Sequence, residues 1–536
     1  MKKLLLITGC FSLFIFSFSI CQGQQWCWGR EGRARIKSNT NASPVATNRF
    51  GNAYITGSFE NVIIFDQDTL FDNFDDTYIV KYDSHGNVLW AKNPTSSSIS
   101  YGYAVISDAN DNAYITGSVS GSPNHPIIFG TDSLFGNGFF VKYSPTGQVL
   151  WAMSHSGVSL AMDKNGNICL ATEDSLMKFN PNEHRFMAAK TKYNNSAVAT
   201  DNLENIYITG IQDTISIHIG TEIPYIAKYD SNGNLLWERQ PTFASFACMG
   251  IGNSVITDKA CNVYLTGYFS DTLSFGPYTL ISPYKLSSGV NADYALFLAK
   301  YDKNGNLLWA RQTTGIQSYR GTSLAKDNAD NIYLGGSGIN TDTLLFGGRM
   351  LTLPTPPISD LSFILKLDTA GTFVSGSLLR NGTFTYPPAQ FENEIAVDSN
   401  GNYCFLTGSF LTDTIFCAND TLYSTGAMDS YIAKWNQNEC IYTTDDIPQV
   451  TPLNSSVLLY PNPNNGAFTL QVNNEELRGK SEIEIYNVLG EKVYSQFTTH
   501  NSPLTIDLKQ PSGIYLYRVV SEDGSLIGQG KVIVQK

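Results

Sequence analysis

One phrase recurs along the chain with small changes. It reads YDSHGNVLWAK at Tyr82–Lys92, YSPTGQVLWAM at Tyr143–Met153, YDSNGNLLWER at Tyr229–Arg239 and YDKNGNLLWAR at Tyr301–Arg311. A second phrase accompanies it: NAYITG at Asn52 and Asn112, NIYITG at Asn205, NVYLTG at Asn262 and NIYLGG at Asn331, with weaker copies NICLAT at Asn167 and NYCFLTG at Asn402. Read by alternation, one unit holds four short strands of the types AVxxD, YITGS, YIVKYD and LLWAR. Asn-Gly between the third and fourth tolerates the positive φ that a tight hairpin demands. The tryptophan that follows carries a large apolar area to bury against a neighbouring unit. Seven such units at a period of roughly 55–60 residues predict an all-β chain closed into a seven-bladed β-propeller.

The seventh unit reaches YIAKWNQNEC (Tyr431–Cys440) and then lacks its LLWAR strand. A matching piece, QWCWGR, stands at Gln25–Arg30. An N-terminal strand that completes the last blade would close the ring and hide an open sheet edge. Cys27 and Cys440 would then lie near the seam as a candidate disulfide, and Cys404 with Cys417, flanking a hairpin, form another. The cysteines left after residue 23 are odd in number and scattered, with no CxxC pair, so neither a disulfide scaffold nor a structural zinc site is expected.

Only 15% of residues are charged while 12% are aromatic, a composition of β-structure with polar turns. A net charge of −12 and the absence of basic runs argue against nucleic acid or anionic lipid as a partner. Residues 1–23 read as an export signal: Lys2 and Lys3, then the apolar LLLITGCFSLFIFSFSI, then polar CQGQQ. ITGC (Ile7–Cys10) is similar to a lipoprotein box, but too little apolar sequence precedes it, so ordinary cleavage after Gly23 is the expectation. Once the signal is removed, no segment is expected to span a membrane as a helix.

Tight turns join strands one to two and three to four, and would crowd one face of the ring. The connections of unequal length, such as Ser118–Asn137, Tyr268–Ala292, Ser337–Asp360 and Arg380–Asn393, would share the other. Variable loops on a rigid scaffold are where binding is expected. Tyr278, Tyr284, Tyr319 and Tyr386 are the candidate ligand-contacting residues there; packing of the loops is the equal alternative. DSNGN lacks the spaced ligands and terminal Glu of a calcium loop and reads as a turn. The DTL and DSL triplets resemble bacterial O-glycosylation sequons, and alternation at a strand edge accounts for them equally well. His85, His125, His155, His184, His218 and His500 are dispersed and form no HExxH or GxSxG-associated set. No cofactor, metal or catalytic residue is assigned.

The repeat stops at Cys440. IYTTDDIPQVTPLNSS (441–456) is polar, contains prolines and reads as a linker. From Val457, short alternating strands with Gly and Pro turns predict a small Ig-like β-sandwich. This segment, Val457–Lys536, resembles the type A C-terminal sorting domain of the bacterial type IX secretion system. The resemblance rests on Tyr460-Pro461-Asn462-Pro463 with Gly466 and Phe468, Asn487-Val488-Leu489-Gly490, Asp507-Leu508 with Pro511, Gly513-Ile514-Tyr515, and the ending from Lys531 to Lys536. It implies export across both membranes of a Gram-negative cell, with the type IX machinery as partner and release or surface attachment afterwards. Most of Gln25–Cys440 is similar to bacterial β-propeller repeats of the SBBP type carrying GNxYxTG, with the third unit (FNPNEHRFMAAK) degenerate, and 24–440 is the expected propeller domain. That likeness speaks to fold more than to function.

Three function classes follow. The first is a secreted or surface binding and adhesion module that engages carbohydrate or protein through its variable face. The second is a propeller enzyme, either a polysaccharide hydrolase or lyase whose carboxylates only geometry would reveal, or a quinoprotein-like dehydrogenase. DxxGxxxW is similar to the tryptophan motif of the latter, with a turn one residue shorter. The third is a structural component of an extracellular matrix.

Overall fold

In the computed structural model the chain divides into two compact units, Met1–Cys440 and Ile441–Lys536. The structure describes residues 25–436 and 457–535 apart from short internal stretches, the longest being 283–293 and 381–392. No described residue is helical.

The first unit contains seven four-stranded antiparallel blades among the described residues. Their innermost strands are Thr40–Thr47, Ile99–Ser107, Ser159–Met162, Asn194–Thr200, Gly250–Thr257, Ser318–Lys326 and Glu394–Val397. Each touches the next, and the seventh touches the first, so the ring closes. Blade 7 takes its outer strand from the N-terminus: Gln25–Ala34 pairs antiparallel with Met428–Asn436, Trp26 opposite Trp435 and Arg30 opposite Ile432. The far end of the same strand also reaches blade 1, Arg33 opposite Ile64, which merges blades 1 and 7 into one eight-stranded sheet.

The repeated phrases are the joints of this ring. In the strand-one-to-two turns, Asp108, Asp163, Asp201, Asp258 and Asp327 each accept the backbone N–H four residues on, and their carboxylates also take that asparagine's side-chain amide. The residue before the asparagine has positive φ in all seven of these turns: Gly51, Asp111, Gly166, Glu204, Cys261, Asp330 and Gly401. In the YITG strands, Thr56, Thr116, Thr209 and Thr266 donate to third-strand carbonyls at 2.6–2.7 Å. The glycine that follows faces a bulge in the innermost strand; a Cβ on Gly117, Gly210 or Gly267 would lie within 2 Å of a carbonyl oxygen there.

The tryptophan joins one blade to the next. Trp90 Nε1 donates to Pro145 O at 2.9 Å, Trp237 to Lys303 O at 3.1 Å, and Trp28 of the N-terminal strand to Ser84 O at 3.3 Å. In each case the acceptor lies in the third-to-fourth-strand turn of the following blade, and the indole covers that turn's glycine. A Cβ on Gly86, Gly147, Gly305 or Gly371 would stand 2.8–2.9 Å from the preceding blade's ring. Only glycine therefore allows that close approach at positive φ. Trp151 faces the degenerate blade 3, whose turn has no such glycine, and its Nε1 has no partner among the described residues.

A buried lysine in the third strand completes the joint in five of the seven blades. Lys178, Lys228, Lys300 and Lys366 pair with the turn aspartate of their own blade at 2.7–3.6 Å. Lys81 faces Asn48 instead of an aspartate, and an amide cannot neutralise an ammonium; its partner is Asp111 of the next blade at 2.7 Å. Burial alone would raise the Asp163 and Asp327 carboxyls, but hydrogen bonds from Asn167 and Asn331 and the facing lysines hold both below the usual aspartate value.

The unequal connections are more ordered than plain loops. Hairpins are inserted between strands two and three: Ile127–Phe129 with Asp132–Leu134, Thr272–Phe275 with Tyr278–Ile281, Thr343–Phe346 with Arg349–Thr352, and Thr414–Cys417 with Asp420–Tyr423. In blade 1 the second and third strands simply run on, Phe65 opposite Asp68. These hairpins explain the D-[TS]-L triplets. The leucine is buried (Leu70, Leu134, Leu273, Leu422). In three blades the aspartate accepts a backbone N–H from the blade's outer strand: Asp68 from Ala91 at 3.0 Å, Asp132 from Ala152 at 3.1 Å, Asp420 from Gly29 at 3.0 Å. The triplet thus ties an otherwise open sheet edge.

Cys27 is disulfide-bonded, while Cys440, its candidate partner, lies outside the described residues. The Cys404–Cys417 pairing is corrected. Both are free thiols, packed in the core around Trp435, and burial pushes both well above the ordinary thiol value. Cys169 takes the place of the repeat's tyrosine in blade 3, and burial pushes its thiol up to about 12.

The second unit is a two-sheet sandwich. Val457–Tyr460, Ala467–Val472 and Leu504–Asp507 form one sheet; Lys492–Thr499, Lys480–Tyr486, Gly513–Ser521 and Leu526–Val534 form the other. Phe468, Leu470, Ile483, Ile485, Ile506, Val519, Val532 and Val534 fill the space between them.

Candidate functional site

Three surfaces of the ring can be told apart by what their polar groups already do. On the tight-turn face, aspartates and asparagines are consumed by their own turns and by the blade joints. Among the described residues there is no cluster of three or more His, Cys, Asp or Glu that could hold a metal ion.

The second surface is a central channel of about 370 Å³, lined by all seven innermost strands. Its hydroxyls bridge adjacent blades: Ser159, Ser254 and Ser323 accept N–H groups of Val198, Leu324 and Ile395 at 3.0–3.2 Å. Thr200 and Thr257 donate to Met162 O and Thr200 O. A ring of aliphatic residues that includes Val105, Val198, Val255 and Leu324 adds packing. The channel wall is built to hold blades together.

The third surface, carrying the inserted hairpins, keeps polar and aromatic groups that the repeat does not require. Tyr101 and Tyr103 stack in parallel on blade 2, their centroids 6.5 Å apart. The Tyr101 hydroxyl donates to Asp75 at 3.1 Å, and Tyr103 is 43% exposed at the channel lining. Beside them Asp76 is fully buried. Its Oδ1 accepts from Ser100 Oγ and from the Thr77 N–H, whereas Oδ2 accepts nothing among the described residues. Burial, reinforced by the neighbouring Asp72, raises the Asp76 carboxyl to about 9.

The sign of that shift gives a prediction. A carboxyl raised in the fold contributes stability below the unfolded value near 4, and that stability is lost as pH climbs toward 9. Asp76→Asn is therefore expected to leave unfolding at pH 4 nearly unchanged and to stabilise the protein at pH 8 by roughly 1–3 kcal/mol. Denaturant titrations at the two pH values check this, and an equal effect at both would contradict it.

The tyrosines singled out by sequence fall differently. Tyr278 is 38% exposed on its hairpin, with its hydroxyl on Leu308 O at 3.1 Å. Tyr319 is 1% exposed, and its hydroxyl donates to Thr343 O. It is a core residue under the blade 6 hairpin, not a surface contact, because its strand position points into the blade. Tyr284 and Tyr386 lie outside the described residues, as do His125, His218 and His500. His155 packs on Phe179; burial and then Arg185 hold it below the ordinary histidine value.

In the sandwich, the motif residues fasten the end of the chain. Asn462 donates from Nδ2 to Lys531 O at 2.9 Å and accepts the Ile533 N–H at 2.8 Å. Asn464 continues the clasp with backbone bonds to Ile533 O and from Gln535 N. Gly466, at φ 109, accepts the Leu508 N–H, and Asn487 closes its turn on Glu491 through both side-chain atoms. Tyr460 and Lys531 are exposed, Gly513 opens the strand opposite the terminus, and Pro461, Pro463 and Gly490 lie outside the described residues. On the outer side, Arg518, then Lys492 and Tyr486, hydrogen-bond Glu484 and hold its carboxyl down to about 2.

These features define a class: a β-propeller repeat protein with an appended β-sandwich whose motif residues lock its last strand. Residues 458–535 match the family described as the secretion system C-terminal sorting domain. Such domains mark proteins exported by type IX secretion to the cell surface or the extracellular space, so this chain is a secreted or surface-displayed protein handled by that machinery. Over 364 residues, 49% of the chain, it is 25% identical to an uncharacterised WD repeat-containing protein, L264, of Acanthamoeba polyphaga mimivirus, and it spans about a quarter (26%) of that relative's length. Two solved structures show distant likeness. A protein of unknown function from Dyadobacter fermentans is 8% identical, covers 77% of this chain and 98% of its own, and has a TM-score of 0.38. PorZ, a surface component of the type IX secretion system of Porphyromonas gingivalis, is 10% identical, covers 93% and 82%, and has a TM-score of 0.26. No helix among the described residues is long and apolar enough to cross a membrane.

Proposed function

We propose that the ring is a surface binding or adhesion module that engages a carbohydrate ligand on the face bearing the inserted hairpins. The observation that carries this reading is the division of polar groups. The turn face and most of the channel wall spend theirs on folding, while the parallel Tyr101–Tyr103 pair beside Asp75 stands where the hairpin face meets the channel. Flat aromatic rings stack on the apolar faces of sugars, and carboxylates accept from their hydroxyls. In this reading residues 1–23 are a leader removed on export, 24–440 form the ring, 441–456 are a spacer, and 457–536 are the address read by the secretion machinery.

A glycan array probed with the full chain tests the proposal. Selective binding that Tyr103→Ala weakens supports it. A folded protein that captures no glycan would redirect the reading to a protein partner or a matrix role.

A further inference from the structure

Three residues that depart from the repeat meet at the seam of blades 5 and 6. Tyr268 stands where blades 1, 2, 6 and 7 carry Ser58, Ser118, Ser337 and Ser409. Arg320 stands where blades 2, 4 and 5 carry Tyr101, Asn194 and Ile251. Tyr294 precedes the third strand of blade 5. All three lie at strand ends that open onto the hairpin face.

The Arg320 guanidinium carbon sits 5.0 Å from the Tyr268 ring centroid and 4.9 Å from that of Tyr294. The two rings are 4.6 Å apart and tilted by 58°, and the Tyr294 hydroxyl is fixed on Met249 Sδ at 3.1 Å. Arg320 is half-buried, its Nε is buried without a hydrogen-bond partner, and no carboxylate among the described residues pairs with it. Three other half-buried or stacked ring arginines spend their terminal nitrogens or Nε on neighbours: Arg30 on Asp420 at 2.9 Å, Arg239 on Gly305 O at 2.8 Å, and Arg311, whose Nε is also without a partner among the described residues, on Ala370 O at 3.0 Å.

Aromatic faces attract a guanidinium but accept none of its in-plane N–H bonds. Two rings therefore hold Arg320 in place with its Nε buried out of a ligand's reach, and leave the edge formed by its two terminal nitrogens for a planar anion, the geometry that suits a carboxylate taken through two parallel bonds. A net charge of −12 repels a long polyanion, so the match is one acidic sugar in a short or sparsely charged chain. We infer that Arg320, clamped by Tyr268 and Tyr294, is the subsite that recognises the carboxylate of a uronic-acid residue in the glycan. This rests on the reading of the hairpin face as the ligand face.

The test is calorimetric titration of the full chain with a short galacturonate oligosaccharide and with its methyl ester, which keeps the sugar and removes the charge. The acid is expected to bind, and both esterification and Arg320→Gln are expected to weaken binding by about tenfold or more. Arg320→Lys, which keeps the charge and the fold but loses the fork, is expected to fall between wild type and Arg320→Gln. Equal binding of acid and ester, or unchanged binding in both variants, overturns the subsite while leaving the ligand face standing. If neither form binds and the glycan array is also blank, the ligand face falls, and the subsite with it.

Discussion

Removing only Lys531–Lys536 is expected to abolish surface display as completely as removing all of 457–536. The final strand is not a tail. Val532 and Val534 are buried core residues at 0% and 1% exposure, and the strand is held on one side by Gly513–Ser521 and on the other by the asparagine clasp. Loss of two buried valines and their hydrogen bonds costs several kcal/mol in a domain of about eighty residues, comparable to its whole stability. Surface proteolysis of intact cells and fractionation of the cell envelope are the measurements, with the truncated ring expected inside the envelope and absent from the surface. Asn462→Ala serves as the graded control. It breaks the bonds to Lys531 and Ile533 without touching the core, so display should fall but persist. Normal display of the six-residue truncation would mean that the machinery reads something other than the folded sandwich.

The ring was legible in the sequence because its determinants are local and repeated. Asn-Gly turns, alternating strands and the tryptophan phrase each specify one joint, and repetition over seven units, even with the third degenerate, specifies closure. Even the displaced QWCWGR strand could be placed, since it carries the same tryptophan and arginine as LLWER. The buried Asp–Lys pairs were hidden inside the phrases, because no spacing tells a solvated turn aspartate from one that faces a lysine across a blade. Tyr319 misled for a related reason: a hydroxyl-bearing ring near a variable connection reads as surface, and only the overlying hairpin buries it. Arg320 and Tyr268 carried a signal of a different kind. They are places where the repeat breaks, and real proteins depart from local rules most often where chemistry beyond folding is needed.

Closure itself can be tested at one side chain. Trp28 is expected to matter more than its repeat equivalents, although its local contacts are the same as theirs. Like Trp90 and Trp237 it covers the turn glycine of the next blade and donates to a carbonyl beside it; Arg30 adds a bond to Gly86 O at 3.1 Å, as Arg239 does to Gly305. The difference is connectivity. Between blades 1 and 2, a weakened joint is still bridged by continuous chain, but among the described residues blades 7 and 1 are joined covalently through the N-terminal strand, which belongs to blade 7 and runs on into blade 1. Trp28→Ala is therefore expected to cost about 3–5 kcal/mol and to expose the edge of Met428–Asn436, with soluble aggregates as a second consequence. Trp90→Ala should cost a similar amount of packing energy and leave the protein monodisperse. Denaturant unfolding paired with light scattering separates the two, and equal aggregation in both variants would remove the N-terminal strand from its role as the ring's lock.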